Sequence, residues 1–490
     1  MKKSTLLILS VILLIGLFFR TYAVVDRFEF AHDGDLYSWF VKDVLVDKHL
    51  RLVGQETSAP GIFIGPLYYY LSIPFFLLTN MDPVGAIIPI TIIGILTIFS
   101  YFWVFAKLFN TKIGLIAAFL YAVLLETVQL DRRVVPSTPT NLWVIWYFYT
   151  VISVVRGNFK QLPLLGILIG LIWHIHIALA PPLLVAPLAI ILSKKLPKIR
   201  EVFYFFTALI VTSLPLLMFE IRHQFIQTTS FLKNFAGAEI VGSSILYKFE
   251  QVLQMVTKNI NTLFFSPQSF PITQNIFFVL LTLSSALFLV RKKIITLKEL
   301  FCLYIWILGV VVFFSLSSSP ISEYYFFNIE IIFIFIVSSY FYLVLKTSRV
   351  AALVALFLLL AIALKNAHFL ITQDYYHKGY QEKKEVVNFI KWDAYLKGLP
   401  CVGISYFTTP GENVGFRYFL YLNNIHTIQP SKDVPVYTIV IPEELSKDVK
   451  VKFAHIGVIL PTFLPSKEQL ERICSKPNTN LTDPMFGFVK

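Results

Sequence analysis

Charge is scarce in this chain: Asp, Glu, Lys and Arg together supply 14% of 490 residues. Soluble domains carry roughly 25%, so an ordinary soluble protein is excluded. Cysteine is scarcer, three residues in all, and no pair shows zinc-type spacing. Gly-rich phosphate loops and nucleophile elbows are missing too, which removes P-loop nucleotide enzymes and α/β-hydrolases. There is no inverted internal repeat of the kind many transporters carry. Cys302 falls in an apolar run, where inert packing is expected. Cys401 and Cys474 both fall in a polar C-terminal region, where a disulfide can form if that region is extracytoplasmic.

What is abundant is apolar surface. Hydrophobic residues make up 56% of the chain, with 47 phenylalanines, and runs of about 18 or more residues recur, each long enough to cross a bilayer core. The first, Leu6 to Val25, follows Lys2 and Lys3 and lacks a small-residue cleavage site, so it reads as a retained span rather than a signal peptide. The net charge of +13 does not indicate nucleic acid, because the basic residues fall in short clusters between apolar runs. The clusters are Lys107 and Lys112, Arg156 and Lys160, Lys194 to Arg200, Arg291 to Lys298, and Lys346 with Arg349.

All of these clusters are cytoplasmic together if the spans lie near 5–25, 84–107, 113–129, 141–156, 161–178, 181–194, 201–219, 274–290, 299–317, 325–345 and 350–368. The odd number, about eleven, puts the N-terminus inside and the C-terminus outside. Counting 61–79 as a span would invert every later loop. With Pro66 and Tyr68, Tyr69 and Tyr70, it reads as an interfacial helix, as does 36–46.

The expected fold class is thus a polytopic α-helical membrane protein of about eleven transmembrane helices plus interfacial helices. Residues 1–368 form the membrane domain, with a first outer loop at 26–83 and a large outer loop at 220–271. Residues 369–490 form a small extracytoplasmic α/β domain, with a helix over 382–397 and strand-like runs at 401–407, 434–441 and 453–460.

The polar residues of the outer face are the candidates for chemistry. Phe30-Ala31-His32-Asp33-Gly34-Asp35 places two carboxylates beside the bilayer, where charge is costly. Asp35 has a bland alternative as the N-cap of the following helix; Asp33 is the better general base, and both are candidate metal ligands. Asp131, Arg132 and Arg133 run against the positive-inside trend, and an arginine fork suits phosphate. The alternatives are lipid-headgroup binding or an Asp131–arginine pair. His174 and His176 close a span, but on a helix a spacing of two points side chains about 200° apart, so both cannot face one cavity. Glu220, Arg222 and His223, with Glu323, Tyr324 and Tyr325, are either interfacial anchors or part of a polar ring around an outer cavity.

These residues resemble the membrane glycosyltransferases of the C-type fold, in the protein-mannosyltransferase and aminoarabinose-transferase-like branch. The likeness lies in His32-Asp33-Gly34-Asp35 after a single first span, Gly61 to Tyr70, Asp131-Arg132-Arg133, and Gly170 to His176. It covers about residues 1–345 as an architecture, with an appended outer domain. It implies that an acid of the first outer loop is catalytic, here Asp33 or Asp35. The donor would be a sugar on a polyprenyl phosphate entering from the bilayer. The acceptor would be a hydroxyl on a lipid, glycan or protein, and the setting a prokaryotic plasma membrane. The branch usually shows Asp-Glu where this chain has Asp-Gly-Asp, so a divalent metal, magnesium or manganese, is left open. Such chemistry needs a base for the acceptor hydroxyl and cations for the departing phosphate. The competing class is a transporter or flippase for lipid-linked saccharides.

Overall fold

The computed structural model describes residues 2–57, 60–236, 245–265, 274–317, 321–375 and 377–488. Parts of the expected outer loops, 237–244, 266–273 and 318–320, lie outside the described residues. The helices in chain order are α1 (Lys3–Thr21), α2 (His32–Leu45), α3 (Leu67–Leu78), α4 (Ile87–Leu108), α5 (Thr111–Val123), α6 (Leu125–Asp131), α7 (Thr140–Val155), α8 (Leu162–Ile175), α9 (Val185–Ser193) and α10 (Ile199–Arg222). They continue with α11 (Ile226–Ala236), α12 (Ile245–Phe265), α13 (Ile276–Arg291), α14 (Leu297–Leu316), α15 (Phe327–Thr347), α16 (Arg349–Thr372), α17 (Tyr380–Leu396), α18 (Arg417–Leu422), α19 (Lys467–Cys474) and the single turn α20 (Thr479–Thr482).

Among the described residues, six helices are long and apolar enough to cross a membrane, or seven if α5 and α6, bent by 68°, form one broken span. Shorter apolar helices at Thr140–Val155, Phe159–Ile175, Ile177–Ser193 and Ile276–Arg291 fall where the remaining expected spans lie. The protein is therefore a polytopic helical membrane protein. Pro181 and Pro182 start a 3₁₀ turn ahead of α9, because proline cannot donate inside a helix but suits its first positions.

The chain forms two compact units. One comprises Met1–Tyr22, Thr57–Tyr68 and Ile90–Gln373; the other comprises Ala23–Glu56, Tyr69–Pro89 and Asp374–Lys490.

In the first unit two devices stand out. Gly166 and Gly170 sit four apart on α8, and a Cβ at either would lie 2.2 Å from the Phe205 carbonyl oxygen or 2.0 Å from Thr212 Oγ1 of α10. Small residues at this spacing let two helix backbones approach closely where lipid offers no hydrophobic drive. The second device is the break at Leu124, which takes extended backbone angles between α5 and α6. It frees carbonyls that a bilayer cannot satisfy. Thr127 Oγ1 donates to Tyr121 O, Arg20 Nη1 to Ala122 O, and Asn366 Nδ2 to Val123 O.

In the second unit a five-stranded mixed sheet has the order β2-β1-β3-β5-β4. The strands are β1 (Val402–Thr408), β2 (Thr427–Ile428), β3 (Val436–Ile441), β4 (Val451–Phe453) and β5 (Ile456–Ile459). β1 runs parallel to β2 and β3, while β5 is antiparallel to β3 and β4. The three expected strand runs are β1, β3 and β5, and α17 is the expected helix. Cys401, before β1, and Cys474, at the end of α19, form a disulfide with Cα atoms 5.6 Å apart.

Candidate functional site

The acidic stretch opens α2, whose N-cap is Ala31, so both Asp33 and Asp35 sit in the first turn, where helix-dipole charge favours acids. The helix thus begins at His32, before the acids, and Asp35 does not cap it. The two carboxylates have separate surroundings. Half-buried Asp33 accepts a 2.6 Å hydrogen bond at Oδ1 from Gln55 Nε2; its Oδ2 has no donor among the described residues. Asp35 is buried, and its Oδ1 accepts the backbone N–H of Tyr418 in the first turn of α18 at 3.0 Å. It fastens α2 to α18 within the second unit.

Asp35 lies beside two cations. Burial lifts its carboxyl from 3.8 to about 6, while the Tyr418 N–H, Arg417 and Lys383 pull it back. Burial likewise pulls the Lys383 ammonium down to about 8, against the opposing pull of Asp35 and Glu412; that ammonium donates to Phe30 O at 3.0 Å. Because the folded carboxyl binds its proton more tightly than the unfolded one, the Asp35 contribution to stability is greatest below pH 3.8. It declines as pH rises to about 6 and stays constant above. Compared across that window, wild-type protein is expected to lose roughly 3 kcal/mol relative to Asp35→Asn. The check is the difference in unfolding midpoint between the two proteins at several pH values; a pH-independent difference would contradict it.

A divalent ion shared by Asp33 and Asp35 does not fit this geometry. Their spacing on a helix separates the side chains by about 200°, and Asp35 is already held among Tyr418, Lys383 and Arg417. Among the described residues, Glu443, Glu444 and His455 bring ligand atoms within 4.8 Å of one another, in the turns after β3 and between β4 and β5.

The second expected group resolves into three roles, all within the first unit. Asp131 is buried at the end of α6 and paired with Arg20 of α1, whose Nε and Nη2 donate to Oδ2 at 2.8 and 2.6 Å. Tyr121 donates its hydroxyl to Oδ1 at 2.9 Å. Asp131 thus pairs with an arginine, and the partner is Arg20 rather than an adjacent one. Arg132 donates to the Phe19 and Tyr22 carbonyls, closing the C-terminus of α1. Arg133 alone of the three is exposed, and its charge reaches Glu126.

The histidines do separate, because α8 ends between them. His174 Nδ1 accepts the Leu67 N–H at 3.3 Å, and its Nε2 donates to Thr212 O at 3.0 Å. His176 is extended, and its Nδ1 accepts the Ala178 N–H. Its ring lies edge-on to Tyr324 at 5.1 Å. Arg222 is exposed at the end of α10. Glu220 is buried and accepts the backbone N–H groups of Gln227 and Thr228, capping α11. Glu323 pairs with Lys258 on the surface.

Sequence reasoning passed over Arg20, Gln55, Lys383 and Arg417. Arg20 carried a signal, an arginine in the last turn of an otherwise apolar span; the other three carried none.

No protein-family model matches the chain, and no curated protein matches it. Solved structures do. ArnT from Cupriavidus metallidurans bound to undecaprenyl phosphate is 11% identical, with a TM-score of 0.57 over 93% of this chain and 97% of its own. Its apo form gives 10% identity and a TM-score of 0.56 over the same shares, 93% and 97%. Archaeal oligosaccharyltransferase AglB from Archaeoglobus fulgidus, in complex with an inhibitory peptide and a dolichol-phosphate, is 12% identical with a TM-score of 0.49 over 91% of this chain and 70% of its own. At such identity the likeness concerns the fold, and the chain has the C-type glycosyltransferase fold that its motifs resemble.

Proposed function

We propose that the protein is an integral-membrane glycosyltransferase that moves a sugar from a polyprenyl phosphate to an acceptor hydroxyl on the extracytoplasmic side. The observation that carries this reading is the likeness of nearly the whole chain to ArnT bound to undecaprenyl phosphate. In the proposed reaction, a carboxylate takes the acceptor proton, the acceptor oxygen bonds to the anomeric carbon, and the sugar–phosphate bond breaks to release polyprenyl phosphate. Asp33 is the base, since it is half-buried with an Oδ2 that has no donor among the described residues, whereas Asp35 is buried and tied to Tyr418. Arg133 and Arg222, both exposed, are the proposed phosphate contacts; Arg132 and Asp131 are occupied in holding α1 and α6.

The test is an assay in proteoliposomes loaded with radiolabelled undecaprenyl-phosphate sugars and an acceptor lipid. A transferase releases free undecaprenyl phosphate as label moves to the acceptor. Movement of intact donor between leaflets without release would establish the flippase class instead.

A further inference from the structure

The segment leading to Gln55 is pressed onto one aromatic ring of the second unit. A Cβ on Gly54 would lie 2.3 Å from Tyr69 Cε2, so a larger residue at 54 would force the segment away from that ring. Tyr69 itself is fully buried. It stacks on Phe40 with ring centroids 4.5 Å apart and meets Tyr37 at 5.4 Å. A fully buried ring packed against two others is a fixed reference point for whatever hydrogen-bonds to its hydroxyl.

Gln55 uses that reference twice. Its backbone N–H donates to the Tyr69 oxygen at 3.3 Å, and the Tyr69 hydroxyl donates to its Oε1 at 3.0 Å. With the amide oxygen occupied by a donor, the NH₂ end must face the other way, and it meets Asp33 Oδ1 at 2.6 Å. The reverse orientation would set an amide oxygen against a carboxylate, two acceptors with no proton between them. The amide orientation is therefore dictated by its partners.

We infer that Gln55 is a positioning residue for Asp33, held in its working orientation by Tyr69. This rests on the reading of Asp33 as the base. A carboxylate with one oxygen tied to a fixed donor cannot rotate freely, so Oδ2 presents its lone pairs in one direction. That places a proton acceptor without reorganisation at the moment of reaction. The relay is assigned to the rate of the proton-transfer step rather than to donor binding.

The experiment compares full-length Gln55→Glu, Gln55→Met, Tyr69→Phe and Asp33→Asn with wild type, using undecaprenyl-phosphate-linked mannose and aminoarabinose as donors. Gln55→Glu keeps the shape and loses the donor. Its kcat near neutral pH is expected to fall about 10–100-fold with donor KM within about twofold. Its activity should recover as pH rises, since two facing carboxylates share one proton until the second leaves. Tyr69→Phe is expected to lose about 3–10-fold, because the amide keeps its place but not its orientation. Gln55→Met serves if the Glu variant does not fold. A readout free of substrate is the antisymmetric carboxylate stretch of Asp33, identified as the infrared band missing from Asp33→Asn; it should move in Gln55→Met.

Wild-type kcat and pH profile in Gln55→Glu, an effect on KM alone, or an unmoved band in Gln55→Met would overturn the inference. Full activity in Asp33→Asn would instead remove the base assignment. The two failures are therefore distinct.

Discussion

Replacing Asp33 with asparagine is expected to lower sugar transfer by about 10²–10⁴-fold, the usual loss when a general base is removed, while the protein remains folded and monodisperse in detergent. The asymmetry between the two aspartates supports this. Asp33 is half-buried, and among the described residues its hydrogen-bond partner is Gln55, a neutral amide on Oδ1, with no donor at Oδ2. Asparagine keeps the volume and can still accept from Gln55, so the fold loses little. What disappears is the basic oxygen. Asp35→Asn affects a buried tie to α18 and should act mainly on stability. If Asp33→Asn kept wild-type kcat while Asp35→Asn abolished transfer, the roles would be reversed and Asp35 would be the base.

The second large effect concerns Arg20 and Asp131. Both side chains are almost wholly inaccessible, and they meet through two hydrogen bonds of 2.6 and 2.8 Å. Arg20 also donates to the Gly16 and Ala122 carbonyls, so it ties α1 to the break between α5 and α6. Removing either partner strands an uncompensated buried charge, at a cost of about 3–5 kcal/mol. Asp131→Ala and Arg20→Ala are each expected to lower the thermal midpoint sharply and to reduce recovery from the membrane. The double variant Arg20→Met with Asp131→Leu should recover much of that loss, since an apolar pair leaves no buried charge. Single variants with unchanged midpoints would contradict the structural assignment and return Asp131 to the candidates for chemistry.

The membrane architecture was legible because a bilayer imposes a one-dimensional rule: backbone polar groups must pair within each segment, and basic loops stay on one side. Apolar runs between Lys and Arg clusters therefore marked helices that the structure contains. β1, β3 and α17 were legible for a related reason, since their apolar periodicity is local. β2 and β4, of two and three residues, are too short for any period to register.

The site was legible at its anchor and opaque in its partners. The acids at 33 and 35 announced themselves by charge beside a membrane. Their separate environments depend on Gln55 at a sequence distance of 22 and on Tyr418 at 383, contacts that no local spacing encodes. Asp131 shows the same limit. Its neighbours Arg132 and Arg133 were the obvious partners along the chain, yet the charge is met by Arg20, 111 positions earlier.

Transferase chemistry itself is tested most directly by mass spectrometry of the lipid products after purified wild-type protein meets an undecaprenyl-phosphate sugar and its acceptor. Free undecaprenyl phosphate in amounts equal to glycosylated acceptor is the expected outcome, with neither formed by Asp33→Asn. Donor recovered intact across a panel of such sugars, with active ArnT as a positive control in the same preparation, would contradict the proposed function.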